Sequence, residues 1–91
     1  MYNGIKSVKP LKDYMIEVTF ENGDVKIFDV KPYLDTGIFR ELKNIEIFNT
    51  VKVNFDTVEW SNGADLDPEE IYECSVPSDS QVAEDKADYK P

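Results

Sequence analysis

A chain of 91 residues with one cysteine and no histidine has material for one domain and one modest core, and lacks the residues for zinc, Ser-His or Cys-His chemistry. Its apolar residues (41%) and aromatics (12%) suit a folded protein, and its apolar runs are far shorter than the about 20 residues a membrane helix needs. A net charge of −9 disfavours direct contact with nucleic acid and favours a basic protein partner.

The stretch Met1 to Lys6 lacks the charged and apolar regions of a secretory signal, so the expected location is the cytoplasm. A lone Cys74, beside Glu73 and without a histidine base, reads as a packed or incidental thiol in a reducing compartment. Residues 4–9 alternate weakly, with Ile5 and Val8 among Lys6, Ser7 and Lys9, and Pro10 closes the run. This predicts a short, charged edge strand.

Tyr14, Ile16, Val18 and Phe20 alternate with Met15, Glu17, Thr19 and Glu21, the period of a strand with one buried face. Asn22-Gly23 suits a type I′ turn, and a second strand runs from Val25 to Val30. A two-residue loop would set Phe20 opposite Val25, Val18 opposite Ile27 and Ile16 opposite Asp29. That face meets a carboxylate at its far end. The other face is wet near the turn and apolar beyond it, at Phe28, Met15 and Val30, where the following segment should cover it.

Pro32 suits the start of a single helical turn through Leu34, and Gly37 its left-handed end. Ile38, Phe39 and Leu42 then have the spacing of a short helical packing face, and residues 44–49 read as an irregular or single-turn connection. Val51, Val53 and Phe55 share one side of the next strand. Asp56-Thr57 is the expected tight connection to the return strand Val58-Glu59-Trp60. The chain turns again at Asn62-Gly63. Asp67 then suits an N-cap, Pro68 the first helical position and Glu70 the third, a capping-box pattern.

From Ser75 the sequence is polar and charged without an apolar period, which predicts a disordered tail over 75–91 behind a compact domain over 1–74. The tail carries four acids and two lysines, which leaves −7 on residues 1–74. The fold class is α+β: a small antiparallel sheet of β-hairpins with two or three short helices and a disordered C-terminal tail.

The acids Asp65, Asp67, Glu69, Glu70 and Glu73 invite a calcium reading. An EF-hand loop counted from Asp65 needs glycine at its sixth position and glutamate at its twelfth, where this chain has Glu70 and Val76. Helix capping and a solvated helix face account for these acids better. Carboxylate pairs for glycoside hydrolysis are unspecific in so acidic a chain. Trp60 reads as the largest plug of a small core rather than a stacking platform. The candidate interaction or ligand loop comprises Trp60, Asn62, Gly63, Asp65, Asp67 and Tyr72. No catalytic residue, metal ligand or cofactor is assigned.

Several stretches together carry a resemblance. They are Pro10-Leu11-x-x-Tyr14, Phe20-x-Asn22-Gly23, Phe28-Asp29-Val30-x-Pro32-x-Leu34 and Gly37-x-Phe39-x-x-Leu42. Phe48-x-x-Val51-x-Val53 follows, and the most specific comes last: Thr57-Val58-x-Trp60-x-Asn62-Gly63-Ala64-Asp65-Leu66-Asp67-Pro68-Glu69-x-Ile71-Tyr72. Over about residues 5–73 the chain resembles a small bacterial family known as domain of unknown function 2442. Ser61 stands where that family often has proline, and Asp56 where it often has glycine. The resemblance implies a compact α+β domain with antiparallel strands and short helices, and no assigned catalytic residues. Its members occur alone, fused to helix-turn-helix domains or encoded beside another small protein, a context that suggests an antitoxin-like or regulatory role.

The combined expectation is a non-enzymatic protein-interaction module for a small basic partner, with the tail folding on binding. The alternative is a small-ligand or cation-binding domain using the loop 61–67. Edge strands at 4–9 or 51–55 would also allow a homodimer.

Overall fold

Two small antiparallel sheets share one core in the computed structural model, which describes residues 4–78. The first sheet is built from β1 (Ile5–Leu11), β2 (Met15–Phe20), β3 (Val25–Asp29) and β7 (Val76–Pro77), in that spatial order. The second contains β4 (Lys52–Asn54), β5 (Thr57–Glu59) and β6 (Asp65–Leu66). Between the sheets in sequence lie 3₁₀ segments at Lys31–Tyr33 and Gly37–Lys43 and the one-turn helix α1 (Ile45–Phe48). Helix α2 (Pro68–Cys74) follows β6. The α+β expectation is met.

β1 is an edge strand, as expected, but Pro10 does not end it. Pro10 lies inside β1 opposite Ile16, a place open to it because an edge strand tolerates a residue without an N–H.

The β2–β3 hairpin departs from the expected register by one residue. Thr19 is opposite Val25, Val18 opposite Lys26, Ile16 opposite Phe28 and Met15 opposite Asp29. The loop is a type I turn followed by a left-handed glycine. The Gly23 N–H donates to Phe20 O at 2.9 Å, the Phe20 N–H donates to Asp24 O at 2.8 Å, and Gly23 has φ +95°. Asn22 keeps a negative φ, so no type I′ turn forms there. The physical reason is burial. The shift moves Asp29 off the apolar face and places Phe28 there beside Ile16, where both are buried. Asp29 instead accepts the Lys31 N–H and pairs with its ammonium. Tyr33 packs on Phe28, so the following segment covers the face that Phe28 shares with Ile16, not the face of Met15 where the cover was expected.

The type I′ turn occurs in the other sheet. Asn54 pairs with Thr57, and the two residues between, Phe55 (φ 52°) and Asp56 (φ 68°), are both left-handed. Phe55 therefore leaves the strand and does not join Val51 and Val53 on the buried side. It is 91% exposed. The expected packing face of 38, 39 and 42 is also incomplete: Leu42 is buried and Phe39 packs on the core, but Ile38 is exposed.

α1 and α2 are short and capped. Asn44 accepts from the Glu46 N–H, and Asp67 from the Glu69 N–H, with Pro68 opening α2. Glu70, expected to reach back to the cap, instead accepts the Tyr33 hydroxyl. The sheet continues past the expected domain end at 74, because Val76 pairs with Ile27 and Pro77 with Lys26. The tail expectation for 79–91 lies outside the described residues.

All these elements except β7 enclose one apolar cluster that includes Ile16, Phe20, Phe28, Phe48, Trp60 and Ile71. Six rings run through it in contact: Tyr14, Phe48, Trp60, Phe39, Tyr33 and Phe28. Each buried aromatic of this kind contributes on the order of 1.5–3 kcal/mol through its area alone. Among the described residues no helix is long and apolar enough to cross a membrane.

Candidate functional site

The turn 60–64 repeats the geometry of the turn 20–24. The Gly63 N–H donates to Trp60 O at 2.9 Å, the Trp60 N–H donates to Ala64 O at 2.8 Å, and Gly63 has φ +94°. Trp60 is 1% exposed and its Nε1 donates to Phe48 O at 2.9 Å, so it is a core residue with its one polar group satisfied. Asn62 is fully engaged. Its Oδ1 accepts the Ala64 N–H at 3.1 Å, and its Nδ2 donates to Glu41 Oε1 at 2.9 Å and to Ile38 O at 3.4 Å. These bonds tie the turn to the 3₁₀ segment 37–43.

The remaining candidates of this loop separate. Asp65 is exposed on β6, opposite Glu59. Asp67 is spent on capping α2. Tyr72 belongs to another place altogether, the β2–β3 turn. Among the described residues no group of three or more Asp, Glu, Cys or His could hold a metal ion. The structure thus brings Trp60, Asn62 and Gly63 into one turn and gives each a structural task.

Two tyrosine–carboxylate contacts hold α2, and sequence reasoning missed both. Tyr33, half-buried on the core, donates its hydroxyl to Glu70. Burial first, and then the Glu70 carboxylate, push the Tyr33 phenol up to about 12. Tyr72 donates its hydroxyl to Asp24 Oδ2 at 2.5 Å, and its ring stands nearly perpendicular to that of Phe20 with the centroids 4.8 Å apart. The Tyr72 hydroxyl, then the Asn22 amide, hold the Asp24 carboxyl below its ordinary range. Lys26 completes the group, with Nζ donating to Tyr72 O at 2.9 Å and lying 3.9 Å from the ring centroid.

Beside this group a cleft of about 410 Å³ is lined by Gly23, Asp24, Val25, Lys26, Pro77 and Ser78. Its carboxylate and its ammonium are both already bonded within the chain. Cys74 is exposed at the end of α2.

The family model described as "Protein of unknown function (DUF2442)" matches residues 5–77. The chain belongs to that family. The match ends where β7 ends, so the DUF2442 unit takes in the last strand of the first sheet. No curated protein and no solved structure matches the chain.

This chain also presents a feature that the loop 61–67 does not, a large apolar side chain, Phe55, in solvent at the β4–β5 turn. The register of the hairpin puts it there. With Val53 opposite Val58 and Asn54 opposite Thr57, only Phe55 and Asp56 remain for the loop.

Proposed function

We propose that this DUF2442 domain is a non-enzymatic protein-interaction module whose partner is a small basic protein, in an antitoxin-like or regulatory accessory role. The observation that carries this reading is the charge of the folded body: −7 over residues 1–74, with Asp65, Asp67, Glu69, Glu70 and Glu73 all facing solvent. A surface of that sign steers a basic protein toward it and repels nucleic acid and anionic lipid. The side chains best suited to ligand chemistry, Asn62, Asp67, Asp24 and Lys26, are committed to partners inside the chain. That argues against the alternative of a small ligand or cation at loop 61–67.

The test is affinity capture of the tagged chain from native lysate at low salt, with mass spectrometry of what is retained. One small basic protein in stoichiometric amount, released at high salt, is the expected result. An empty eluate from folded bait would count against the reading.

A further inference from the structure

The tip of the β4–β5 hairpin combines two features that folding does not explain. Phe55 holds a left-handed backbone (φ 52°), a conformation that a bulky side chain rarely adopts. Its side chain is also 91% exposed, so it contributes almost nothing to the core. A type I′ turn prefers asparagine and glycine at these two positions, and either would form the same hairpin with less strain.

The tip is nevertheless held firmly by its backbone. Asp56 O accepts the Ile5 N–H at 2.9 Å, which ties the turn to the first strand of the other sheet. A Cβ at Gly4 would come within 3.3 Å of the Asp56 side chain, so the two segments are close-packed here. The outer strands of both sheets thus meet each other inside one chain at this end. The backbone that carries Phe55 is thus tied in place, and among the described residues nothing covers the ring.

The chemistry of the occupant follows from charge. Asp56 and Glu21 are exposed at this end, where the Glu21 N–H donates to Gly4 O at 2.8 Å, and Lys6 and Lys52 are the nearest bases in the sequence. The whole chain carries −9, so a second copy, a nucleic acid or an anionic bilayer would approach against repulsion. A rigid aromatic on an acidic body matches an apolar pocket with a basic rim. We propose that Phe55 is the anchor residue of the interface, inserted into an apolar pocket of a basic partner protein. This rests on the interaction-module reading above and adds the place of contact.

The test uses the full chain carrying a photoreactive benzoylphenylalanine at position 55 or, separately, at position 38, another exposed apolar site. Each is irradiated in native cells. The expected result is a cross-link from 55 to a basic protein, at a peptide containing both apolar and Lys or Arg side chains, and none from 38. A protein cross-linked from 38 but not from 55 would overturn the placement and leave the module standing. Cross-links from neither position, with a partner still captured from lysate, would overturn the placement; with an empty capture as well, they would overturn both. A cross-link from 55 to a second copy of the chain or to lipid would overturn the partner chemistry.

The variant Phe55→Asn separates recognition from folding. It is expected to raise the Tm by several degrees while lowering the yield of captured partner about tenfold or more. A lower Tm would show that Phe55 serves the fold and would overturn the proposal.

Discussion

Phe20 and Trp60 occupy the same position in two copies of one turn. Phe20 ends β2 and Trp60 directly follows β5, both are buried, each N–H donates at 2.8 Å to the carbonyl four residues on, and each carbonyl accepts a glycine N–H at 2.9 Å. The asparagine in each turn accepts from the residue after the glycine, at 2.9 Å for Asp24 and 3.1 Å for Ala64. The two glycines have φ of +95° and +94°. One local pattern, aromatic-x-Asn-Gly, thus sets an aromatic ring into the shared core from each sheet.

The glycines should respond alike. A Cβ at Gly23 or Gly63 would meet nothing within 4 Å, so alanine there costs only the backbone strain of the left-handed region. Gly23→Ala and Gly63→Ala are each expected to lower stability by about 1–2 kcal/mol. Urea denaturation of both variants checks this. A cost confined to one of them would break the equivalence of the turns.

Trp60 carries more of the core than any other side chain. Trp60→Ala removes a fully buried indole and leaves Phe48 O without the indole donor. The expected loss is about 3–5 kcal/mol, a large share of the about 5–15 kcal/mol of a typical domain. A loss below about 1 kcal/mol, the range of surface substitutions, would place Trp60 outside the core.

Tyr72 of α2 and Tyr33, which bonds to α2 from the 3₁₀ segment Lys31–Tyr33, give stability a dependence on pH at both ends of the scale. The Asp24 carboxyl is depressed in the folded state, chiefly by the Tyr72 hydroxyl. Its contribution is present above the unfolded value of about 4 and is lost as pH falls through the lower folded value. The Tyr33 phenol is raised to about 12, chiefly by burial. Its contribution is complete below about pH 10 and is lost as pH rises from about 10 through the folded value. Tyr72→Phe should flatten the acid limb of the stability profile and Tyr33→Phe the alkaline limb. Thermal melts across pH test both, and an unchanged profile in either variant would refute the assignment.

The end of the domain is also testable. Truncation after Cys74 removes the pairing of Val76 and Pro77 with β3 and opens the edge over Ile27, which is buried. The chain ending at 74 is expected to melt below the chain ending at 78. Equal melting temperatures would show that β7 adds nothing to the sheet.

Much of this fold is legible in the sequence because burial speaks through period. Ile16, Val18 and Phe20 announce a half-buried strand, and Asp67-Pro68 announces the start of α2. What local pattern does not settle is the choice between turns that use the same residues. Asn22-Gly23 suits a type I′ turn and equally a type I turn with a left-handed glycine. The deciding term is the burial of Phe28 against Ile16, a tertiary contact. The reverse occurs at Phe55-Asp56, where the pairing of Val53 with Val58 imposes a type I′ turn on residues that do not favour it. Asp56, where the resembling family often has glycine, takes φ 68° there. Of the six residues of the candidate loop, Trp60, Asn62 and Gly63 share one turn, which the Asn-Gly pair after a strand end already indicates in the sequence. It does not show that Tyr72 leaves them for Asp24, because that contact joins residues far apart in the chain.

In the proposed function an acidic body recognises a basic protein. The most direct test of this recognition is the dissociation constant of the captured partner for the purified chain, measured across a series of salt concentrations. The affinity is expected to weaken steeply as salt rises, carried mainly by a falling association rate. An affinity unchanged between low and high salt would contradict it.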